Sequence, residues 1–456
     1  MALRKYMLKA HPAALVLAAF IMAIFLGTLI LKLGVSTKAG FISWTDALFT
    51  ATSAVCVTGL IVVDTGSYFT IFGQVAILSM IQIGGLGVMT VSVYLFQWLG
   101  RTISFRQRQA VQDLYTHTPR EDIFNLVKST VLFTLGAEMI GAIVLTIHWT
   151  AELGFSGAVF PAIFHSVSAF CNAGFALYAD SMMGYGDSLL LNGAMGSLIV
   201  TGGIGFPVLY DLQCRLQSPD SRRYRLSIQT KTVLSTTAIL ITGGALLFFA
   251  LEQGALSAFP SMGNRVLVSL FQSITCRTAG FNTVDIASLR EATLVMMLFL
   301  MFFGASPGSC GGGVKTTTLA LLTVFTAGRI RKRRRVNLFK KSVPEETVTR
   351  TISLVLVSIG IISVVLFLLL TADPVTGREI NSHPHTFLAY LFETVSAFGT
   401  VGLSMGITPE LGTWGKGWII FMMIVGRVGV LTFSYIIVGT GAVNGITHAE
   451  ENMMIG

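Results

Sequence analysis

The sequence predicts an all-α polytopic membrane protein in which four repeated units surround one axis. Three observations support this fold class: an apolar composition, eight apolar segments of bilayer length, and a segment pattern that occurs four times. Hydrophobic residues make up 53% of the 456 residues and charged residues 12%, whereas soluble domains carry roughly 25% charged residues. Most of the chain is therefore expected to face lipid or the interior of a helix bundle.

Eight apolar segments are long enough to cross a bilayer, which takes about 20 residues of helix. They are residues 12–33, 71–99, 124–149, 189–212, 230–251, 293–325, 348–372 and 417–443. The first is too long for the core of a cleavable signal peptide and lacks a small-residue cleavage site, so it is expected to remain as a span. Each quarter of the chain contains two spans.

A short Ser- and Thr-rich pattern that ends in one glycine occurs four times. The copies are LFTATSAVCVTGL (from Leu48, with Gly59), IFHSVSAFCNAGF (from Ile163, with Gly174), LFQSITCRTAGF (from Leu270, with Gly280) and LFETVSAFGTVGL (from Leu391, with Gly402). The glycines are separated by 115, 106 and 122 residues. Such spacing indicates one structural unit used four times.

Each copy has about ten mainly apolar residues before its glycine, too few to cross the membrane, and fits a re-entrant helix that enters and stops. Non-helical backbone at membrane depth is tolerated where it is buried in protein or lines a watery cavity. Four such strips around one axis would present inward carbonyl oxygens, which can replace the hydration shell of a monovalent cation. A glycine that only caps a helix is the alternative for any one copy, but four copies with shared flanks favour a pore lining.

Each unit is therefore predicted to consist of a span, a pore helix, a filter strip and a second span around one central pore. The units, with their pore loops in parentheses, are 1–112 (44–60), 113–228 (159–175), 229–343 (266–281) and 344–456 (387–403). The fourth unit ends in a cytoplasmic tail.

The distribution of basic residues predicts that both termini are cytoplasmic. Of the 31 Lys and Arg residues, 22 precede the first span or follow the second, fourth and sixth spans, and cytoplasmic loops are enriched in these residues. The run RIRKRRR from Arg329 belongs to this set. Binding of anionic lipid or nucleic acid by this run is the alternative, but its place beside a span favours a topology signal, and no nucleic-acid partner is expected.

The sequence shows no pattern typical of a catalytic or metal site. The five cysteines occur singly, at 56, 171, 214, 276 and 310, without the spacing of a metal site or disulfide framework. A metal near the three that precede repeat glycines is the alternative to simple packing. No Ser/His/Asp set, HExxH motif or carboxylate pair stands out, so neither an enzyme nor a covalently bound cofactor is expected.

A second signature occurs in the inner span of each unit. Its copies are GGLG from Gly84, GGIG from Gly202, GGVK from Gly312 and GRVG from Gly426. The glycines of GGLG and GGIG fit close helix packing. The signature follows the glycine of the strip by 25, 28, 32 and 24 residues. The third unit is therefore overlong.

The extra residues lie in GASPGSCGGGVKT, which is called the glycine-rich segment 304–316. Five glycines and a proline in 13 residues predict that the sixth span breaks into two half-helices. The segment is not a nucleotide-binding P-loop, because Val314 separates its glycines from Lys315. A tolerated kink is the alternative, but a glycine-rich break at membrane depth usually lines a cavity.

The chain resembles the TrkH, KtrB and plant HKT superfamily of potassium transporters. The phrases that carry the resemblance are CRTAGFNT from Cys276, SAFGTVGLS from Ser396 and IQIGGLGVMT from Ile81. It covers nearly the whole chain and is greatest toward KtrB-like membrane subunits. It implies four copies of a potassium-channel pore unit in a bacterial cytoplasmic (inner) membrane.

The resemblance implies that the four strips form a selectivity filter for potassium. The strips are Val57, Thr58 and Gly59; Asn172, Ala173 and Gly174; Thr278, Ala279 and Gly280; and Thr400, Val401 and Gly402. Each has one glycine where a potassium channel has two, so looser selectivity is expected. Sodium-preferring plant relatives carry serine in the first strip, where this chain has Gly59. The third copy is one residue shorter, and a different local backbone is expected there.

An arginine at membrane depth is costly unless it is paired, and the third strip follows Arg277. Glu138 and Glu393 are the acids expected at similar depth. Either is expected to hold Arg277 behind the filter as a scaffold.

The resemblance also implies that the glycine-rich segment is a gate beneath the filter. The gate residues are Gly304, Ala305, Ser306, Pro307, Gly308, Ser309, Cys310, Gly311, Gly312, Gly313, Lys315 and Arg427. Arg427 can donate hydrogen bonds to carbonyl groups of the segment while repelling a cation.

The implied function is potassium uptake, with sodium as an activator, through a gate regulated by a separate cytoplasmic RCK-type (KtrA-like) ring that binds ATP or ADP. The resemblance also implies a homodimer in the lipid bilayer with one pore per protomer. Two alternatives stay open: a sodium-preferring pore of the same architecture, and a membrane receptor that binds ions without transporting them.

Overall fold

The structure is a computed structural model that describes residues 12–87, 123–217, 225–332, 335–376 and 386–429. Its α-helices, numbered in chain order, are α1 (Pro12–Leu31), α2 (Trp44–Val55), α3 (Thr65–Tyr68), α4 (Ile71–Leu86), α5 (Ile123–Phe170), α6 (Leu189–Gly203), α7 (Phe206–Gln217), α8 (Ile228–Leu251), α9 (Gln253–Leu256), α10 (Met262–Thr275), α11 (Glu291–Phe302), α12 (Thr316–Ile330), α13 (Glu345–Thr376), α14 (Thr386–Gly399) and α15 (Thr413–Val428). Short 3-10 helices lie at Gly34–Ser36, Met183–Tyr185, Ile286–Ser288 and Thr408–Glu410. Strands β1 (Asn337–Leu338) and β2 (Lys341–Ser342) form an antiparallel hairpin next to the basic run.

Each unit contains an outer helix, a re-entrant helix, a strip and an inner helix, in that order. The outer helices are α1, the first part of α5, α8 and α13; the re-entrant helices are α2, the last part of α5, α10 and α14; the inner helices are α4, α6, α11 and α15. In α5 the outer and re-entrant parts follow each other across Gly154, whose φ of 70° interrupts the helix. The order of these helices is compatible with the units predicted from the repeats.

Long apolar helices account for part of the predicted spans. In the described part of the chain, Val127–Phe170, Ile228–Leu251 and Glu345–Thr371 are long and apolar enough to cross a membrane. The pair α6 and α7 is bent by 97° and would count as a fourth span. Other apolar helices there have 10–17 residues. The ends of the second and eighth predicted spans, both chain termini and the basic residues 101–120 lie outside the described residues.

The four units close on one another in a ring. Each inner helix packs against the helix that carries the re-entrant part of the next unit: α4 against α5, α6 against α10, α11 against α14, and α15 against α2. The last contact returns to the first unit. An ion pair between Lys416 Nζ and Asp46 Oδ1, 2.8 Å apart, joins α15 to the first turn of α2 at this closure.

In the first, second and fourth units, the first glycine of the inner signature lies directly against the end of the re-entrant helix of its own unit. A Cβ atom added at Gly84 would lie 2.1 Å from Val55 O, at Gly202 1.8 Å from Phe170 O, and at Gly426 1.9 Å from Phe398 O. Real Cβ atoms do not approach a carbonyl oxygen this closely. The close packing expected of the glycines in GGLG and GGIG is confirmed at Gly84 and Gly202, and Gly426 packs in the same way, because no larger residue lets the inner helix reach the backbone of its re-entrant helix.

We predict that Gly202→Ala lowers the stability of the purified protein, whereas Gly193→Ala in the same helix does not. The first substitution forces the Cβ atom against Phe170 O, and such overpacking costs roughly 1–3 kcal/mol. At Gly193 no atom lies within 4 Å of the added Cβ. Thermal unfolding in detergent, followed by the loss of the monodisperse size-exclusion peak, measures both variants. Equal midpoints for the two would contradict the packing role of Gly202.

Candidate functional site

Four glycines, one from each unit, meet at the centre of the molecule and form what is called the glycine ring. They are Gly59, Gly174, Gly280 and Gly402, with φ between 69° and 92°. A Cβ atom at each would lie close to a carbonyl oxygen of the next strip: 2.4 Å from Ala173 O, 2.9 Å from Ala279 O, 2.4 Å from Val401 O and 2.2 Å from Thr58 O, respectively. The carbonyl oxygen of the middle residue of each strip therefore lies beside the ring.

The first residue of every strip is held in the left-handed region of backbone conformation. Val57, Asn172, Thr278 and Thr400 have φ between 50° and 67°. Asparagine adopts this region readily, but the β-branched residues are strained by about 1–2 kcal/mol each. The middle residue of each strip does not have a positive φ, so the sign of φ alternates along the three residues of the strip. Strain repeated at equivalent positions is typical of a functional site.

Hydrogen bonds to the re-entrant helix hold three of the strips alike. The N–H groups of Thr58, Ala173 and Val401 donate to the carbonyl oxygen five residues earlier, at 2.8, 2.8 and 2.9 Å. In the third strip Ala279 N–H instead donates to Thr275 O, four residues earlier, at 3.0 Å. The prediction of a different backbone in the third strip is confirmed, since one residue fewer precedes its glycine.

Serine side chains add a second tie in two units. Ser53 Oγ accepts from Gly59 N–H, and Ser396 Oγ accepts from Gly402 N–H, both at 3.1 Å. The serines that recur in the sequence pattern thus fix the position of the ring glycines.

The ion pair expected for Arg277 is not formed. Its side chain is buried, and Nη2 donates to Thr237 Oγ1 of the outer helix α8 at 3.2 Å. Among the described residues, neither Glu138 nor Glu393 lies within ion-pair distance of Arg277. The prediction that one of these acids holds Arg277 is wrong, because similar depth in the membrane does not place two side chains on the same side of the ring.

Both acids bond elsewhere. Glu138 accepts from Gln82 Nε2 at 3.2 Å, which joins α5 to α4 of the preceding unit. Glu393 is fully buried in α14 and accepts from the hydroxyl groups of Ser404, at 2.9 Å, and Thr408. Glu393 therefore ties the segment that follows the fourth strip to the re-entrant helix.

The predicted break of the sixth span is confirmed: α11 ends at Phe302 and α12 begins at Thr316. The glycine-rich segment between them contacts the inner signatures of two other units. Cys310 N–H donates to Gly202 O at 3.2 Å, Phe206 N–H donates to Gly308 O at 2.9 Å, and Gly313 N–H donates to Gly426 O at 3.2 Å. The segment thus bridges the inner helices of the second, third and fourth units.

Two basic side chains bond to carbonyl oxygens at the segment. Arg427 donates from its guanidinium to Cys310 O and to Gly84 O. Lys315 Nζ donates to Gly311 O at 2.8 Å and to Gly312 O at 3.3 Å. The bond expected from Arg427 to the segment is present, and its second bond, to Gly84, extends the network to the first unit.

The bend between α6 and α7 and the positions at which α4 and α15 end were not predicted from the sequence. The pair α6 and α7 bends by 97° around Gly205, which has φ 94°. Helices α4 and α15 end just before Gly87 and Gly429, with φ 83° and 94°. The last glycine of GGLG, GGIG and GRVG was the available signal.

The chain is similar to known transport proteins over most of its length. The chain matches the TrkH family, described as cation transport protein, over residues 4–439. It is 39% identical over 428 residues to Ktr system potassium uptake protein B of Bacillus subtilis (strain 168), covering 93% of this chain and 92% of that protein. It is 34% identical over 452 residues to potassium/sodium uptake protein NtpJ of Enterococcus hirae, covering 98% and 97%.

A solved structure has the same fold. The crystal structure of the potassium transporter TrkH from Vibrio parahaemolyticus aligns with a TM-score of 0.67 and 22% identity, covering 92% of this chain and 84% of that one. The predicted all-α fold class is confirmed by this match, with which the arrangement of four repeated units is compatible. The family match confirms the prediction of a transport protein rather than an enzyme. The chain therefore belongs to the TrkH family of cation transport proteins.

Proposed function

We propose that this protein takes up potassium ions across the bacterial cytoplasmic membrane through a filter formed by the four strips. The glycine ring, with the carbonyl oxygens that lie beside it, carries this proposal. Carbonyl oxygens around an axis can replace the hydration shell of potassium. Relatives that match over more than nine-tenths of the chain are named potassium uptake proteins.

The glycine-rich segment would be the gate of this pathway. Arg427 and Lys315 place two positive charges at the segment, and a cation that approaches them is repelled. Flux then requires the segment to leave the path. The half-helices α11 and α12 on either side of the segment can carry this movement.

A cytoplasmic RCK-type ring that binds ATP or ADP would regulate transport. The chain would act as a homodimer, and both of its termini would be cytoplasmic. The relatives named as parts of a Ktr system support a multi-component transporter. Sodium would act as an activator. The relative named as a potassium/sodium uptake protein supports this role, and it also keeps a sodium-preferring pore as the second candidate function.

We predict that Gly402→Ser raises the potassium concentration needed for half-maximal uptake by roughly tenfold or more. This change corresponds to a loss of at least ~1.4 kcal/mol of ion-binding free energy. Gly406→Ser should leave this concentration unchanged. Both glycines have a similar positive φ, 92° and 93°, but an added Cβ at Gly406 has no atom within 4 Å, whereas at Gly402 it collides with Thr58 O. The pair thus separates the ring from backbone strain. Uptake is measured in cells that lack their own potassium uptake systems, at micromolar to millimolar potassium.

The same assay, with and without sodium, separates the candidate functions. Potassium uptake that sodium stimulates supports the proposal. Preferred uptake of sodium would establish the second candidate. Membrane-inserted protein without uptake, with or without an added RCK-type subunit, would favour a receptor that binds ions without transporting them.

We also predict that Arg427→Ala, or deletion of several residues between Ser306 and Gly313, raises potassium flux in vesicles that lack the regulatory subunit. Each change removes hydrogen bonds that hold the segment, and one such bond corresponds to about fivefold in an equilibrium. Arg331→Ala is the control, because it removes one exposed positive charge from the end of α12 without touching the segment. Unchanged flux in both the Arg427 and the deletion variants would refute the gating role.

A further inference from the structure

The glycine-rich segment and the fourth strip are joined by one direct hydrogen bond. Gly312 N–H donates to Thr400 Oγ1 at 2.7 Å, and both residues are buried. Thr400 is the first residue of the fourth strip, with φ 50°. A single residue thus contributes its backbone to the strip and its hydroxyl group to the segment.

The equivalent residues of the other strips do not share this bond. Val57 has no hydroxyl group, and its Cγ2 atom lies against Gly84. Asn172 and Thr278 face each other, with the Asn172 amide 3.4 Å from Thr278 Oγ1. Among the described residues of the four strips, only Thr400 accepts a side-chain hydrogen bond from the backbone of the segment.

The segment packs closely against Thr400 and against the residue before it. A Cβ atom at Gly312 would lie 2.7 Å from both Thr400 Oγ1 and Cγ2, and one at Gly313 would lie 3.0 Å from Gly399 Cα. The segment is therefore seated on the residues that begin the fourth strip. A β-branched residue in the left-handed region persists only where its surroundings hold it, and this bond is part of that hold.

We propose that Thr400 is a positioning residue whose hydroxyl group latches the glycine-rich segment to the fourth strip and couples the closed state of the segment to the conformation of the filter. The inference rests on the gating role proposed above. Breaking the bond releases the segment and loosens the fourth strip in the same event. Because coupling between two sites is reciprocal, ions in the filter should also bias the position of the segment.

The test compares two substitutions of Thr400, one that removes the hydroxyl acceptor and one that keeps it. Thr400→Val keeps the shape and removes the oxygen, and the left-handed conformation accommodates valine, since Val57 occupies the equivalent position with φ 58°. Thr400→Ser keeps the oxygen. We expect the valine variant to raise potassium flux about fivefold in vesicles without the regulatory subunit, the factor that corresponds to one ordinary hydrogen bond. Both variants change the same position of the strip, so the comparison between them isolates the acceptor oxygen, and the flux of the valine variant should exceed that of the serine variant by about the same factor.

A double-mutant cycle identifies the partner of the hydroxyl group. In a chain that lacks residues 308–312, Thr400→Val should have no further effect on flux, because the donor is gone. An equal effect of valine in both backgrounds, or equal behaviour of valine and serine, would overturn the latch. Should the valine variant not assemble, Thr400→Ala tests the same loss of acceptor.

The deletion also separates failure of the proposed gate from failure of the hydrogen bond as a latch. If the deletion itself leaves flux unchanged, both proposals fail. If the deletion raises flux and Thr400→Val does not, only the latch fails.

Because the coupling is reciprocal, potassium in the filter should change the exposure of Cys310, and a purely structural role of Thr400 would not produce this effect. Cys310 is fully buried in the segment and reports its exposure through the rate of maleimide labelling, in a chain whose other four cysteines are replaced. Exchange of choline for potassium should change this rate with Thr400 or serine at the position, and should not change it with valine. A potassium dependence that survives the valine substitution would contradict the coupling.

Discussion

The contact among the four ring glycines is the constraint on which the rest of the structure depends. An added Cβ at any of them would lie 2.2–2.9 Å from a carbonyl oxygen of the next strip, so at the ring itself the strips meet through their backbones. In three units the inner helix also reaches the backbone of its re-entrant helix, which Gly84, Gly202 and Gly426 permit. The contact between α15 and α2 then closes the ring that the first three units leave open.

The left-handed backbone conformation of the strips costs free energy, and different residues carry this strain in different units. Val57, Thr278 and Thr400 are β-branched residues in the left-handed region, each strained by roughly 1–2 kcal/mol. The hydrogen bonds from Gly59 and Gly402 to serine hydroxyl groups offset part of this strain in the first and fourth units. In the third unit no serine stands six residues before the glycine. There the N–H groups of Ala279 and Gly280 both reach Thr275 O, at 3.0 and 3.5 Å.

Features encoded locally could be predicted from the sequence, whereas contacts between distant segments could not. The strips and the break at residues 304–316 follow from glycine, whose conformational freedom is a property of the residue itself. The partner of Arg277 depends on how α8 and α10 pack, and the sequence does not specify which polar group that packing brings nearest. A threonine on an apolar helix usually bonds to its own backbone, so the sequence does not single out Thr237 as this partner. The bend at Gly205 was encoded locally, but the glycine was assigned to packing because its neighbours Gly202 and Gly203 do pack.

The two basic side chains at the glycine-rich segment act as cations that are fixed to the protein. Carbonyl oxygens at the centre of an ion pathway form a site that a mobile cation would occupy. In the structure, Lys315 and Arg427 donate to three carbonyl oxygens of the segment, those of Cys310, Gly311 and Gly312. A cation fixed to the protein fills these oxygens without moving on, so the segment satisfies its backbone groups and offers no place for an ion. Movement of the segment would break these bonds and expose the same oxygens to the pathway. If the segment is the gate proposed above, closure and conduction would compete for one set of carbonyl groups, and a basic residue could then stand where the other units have glycine.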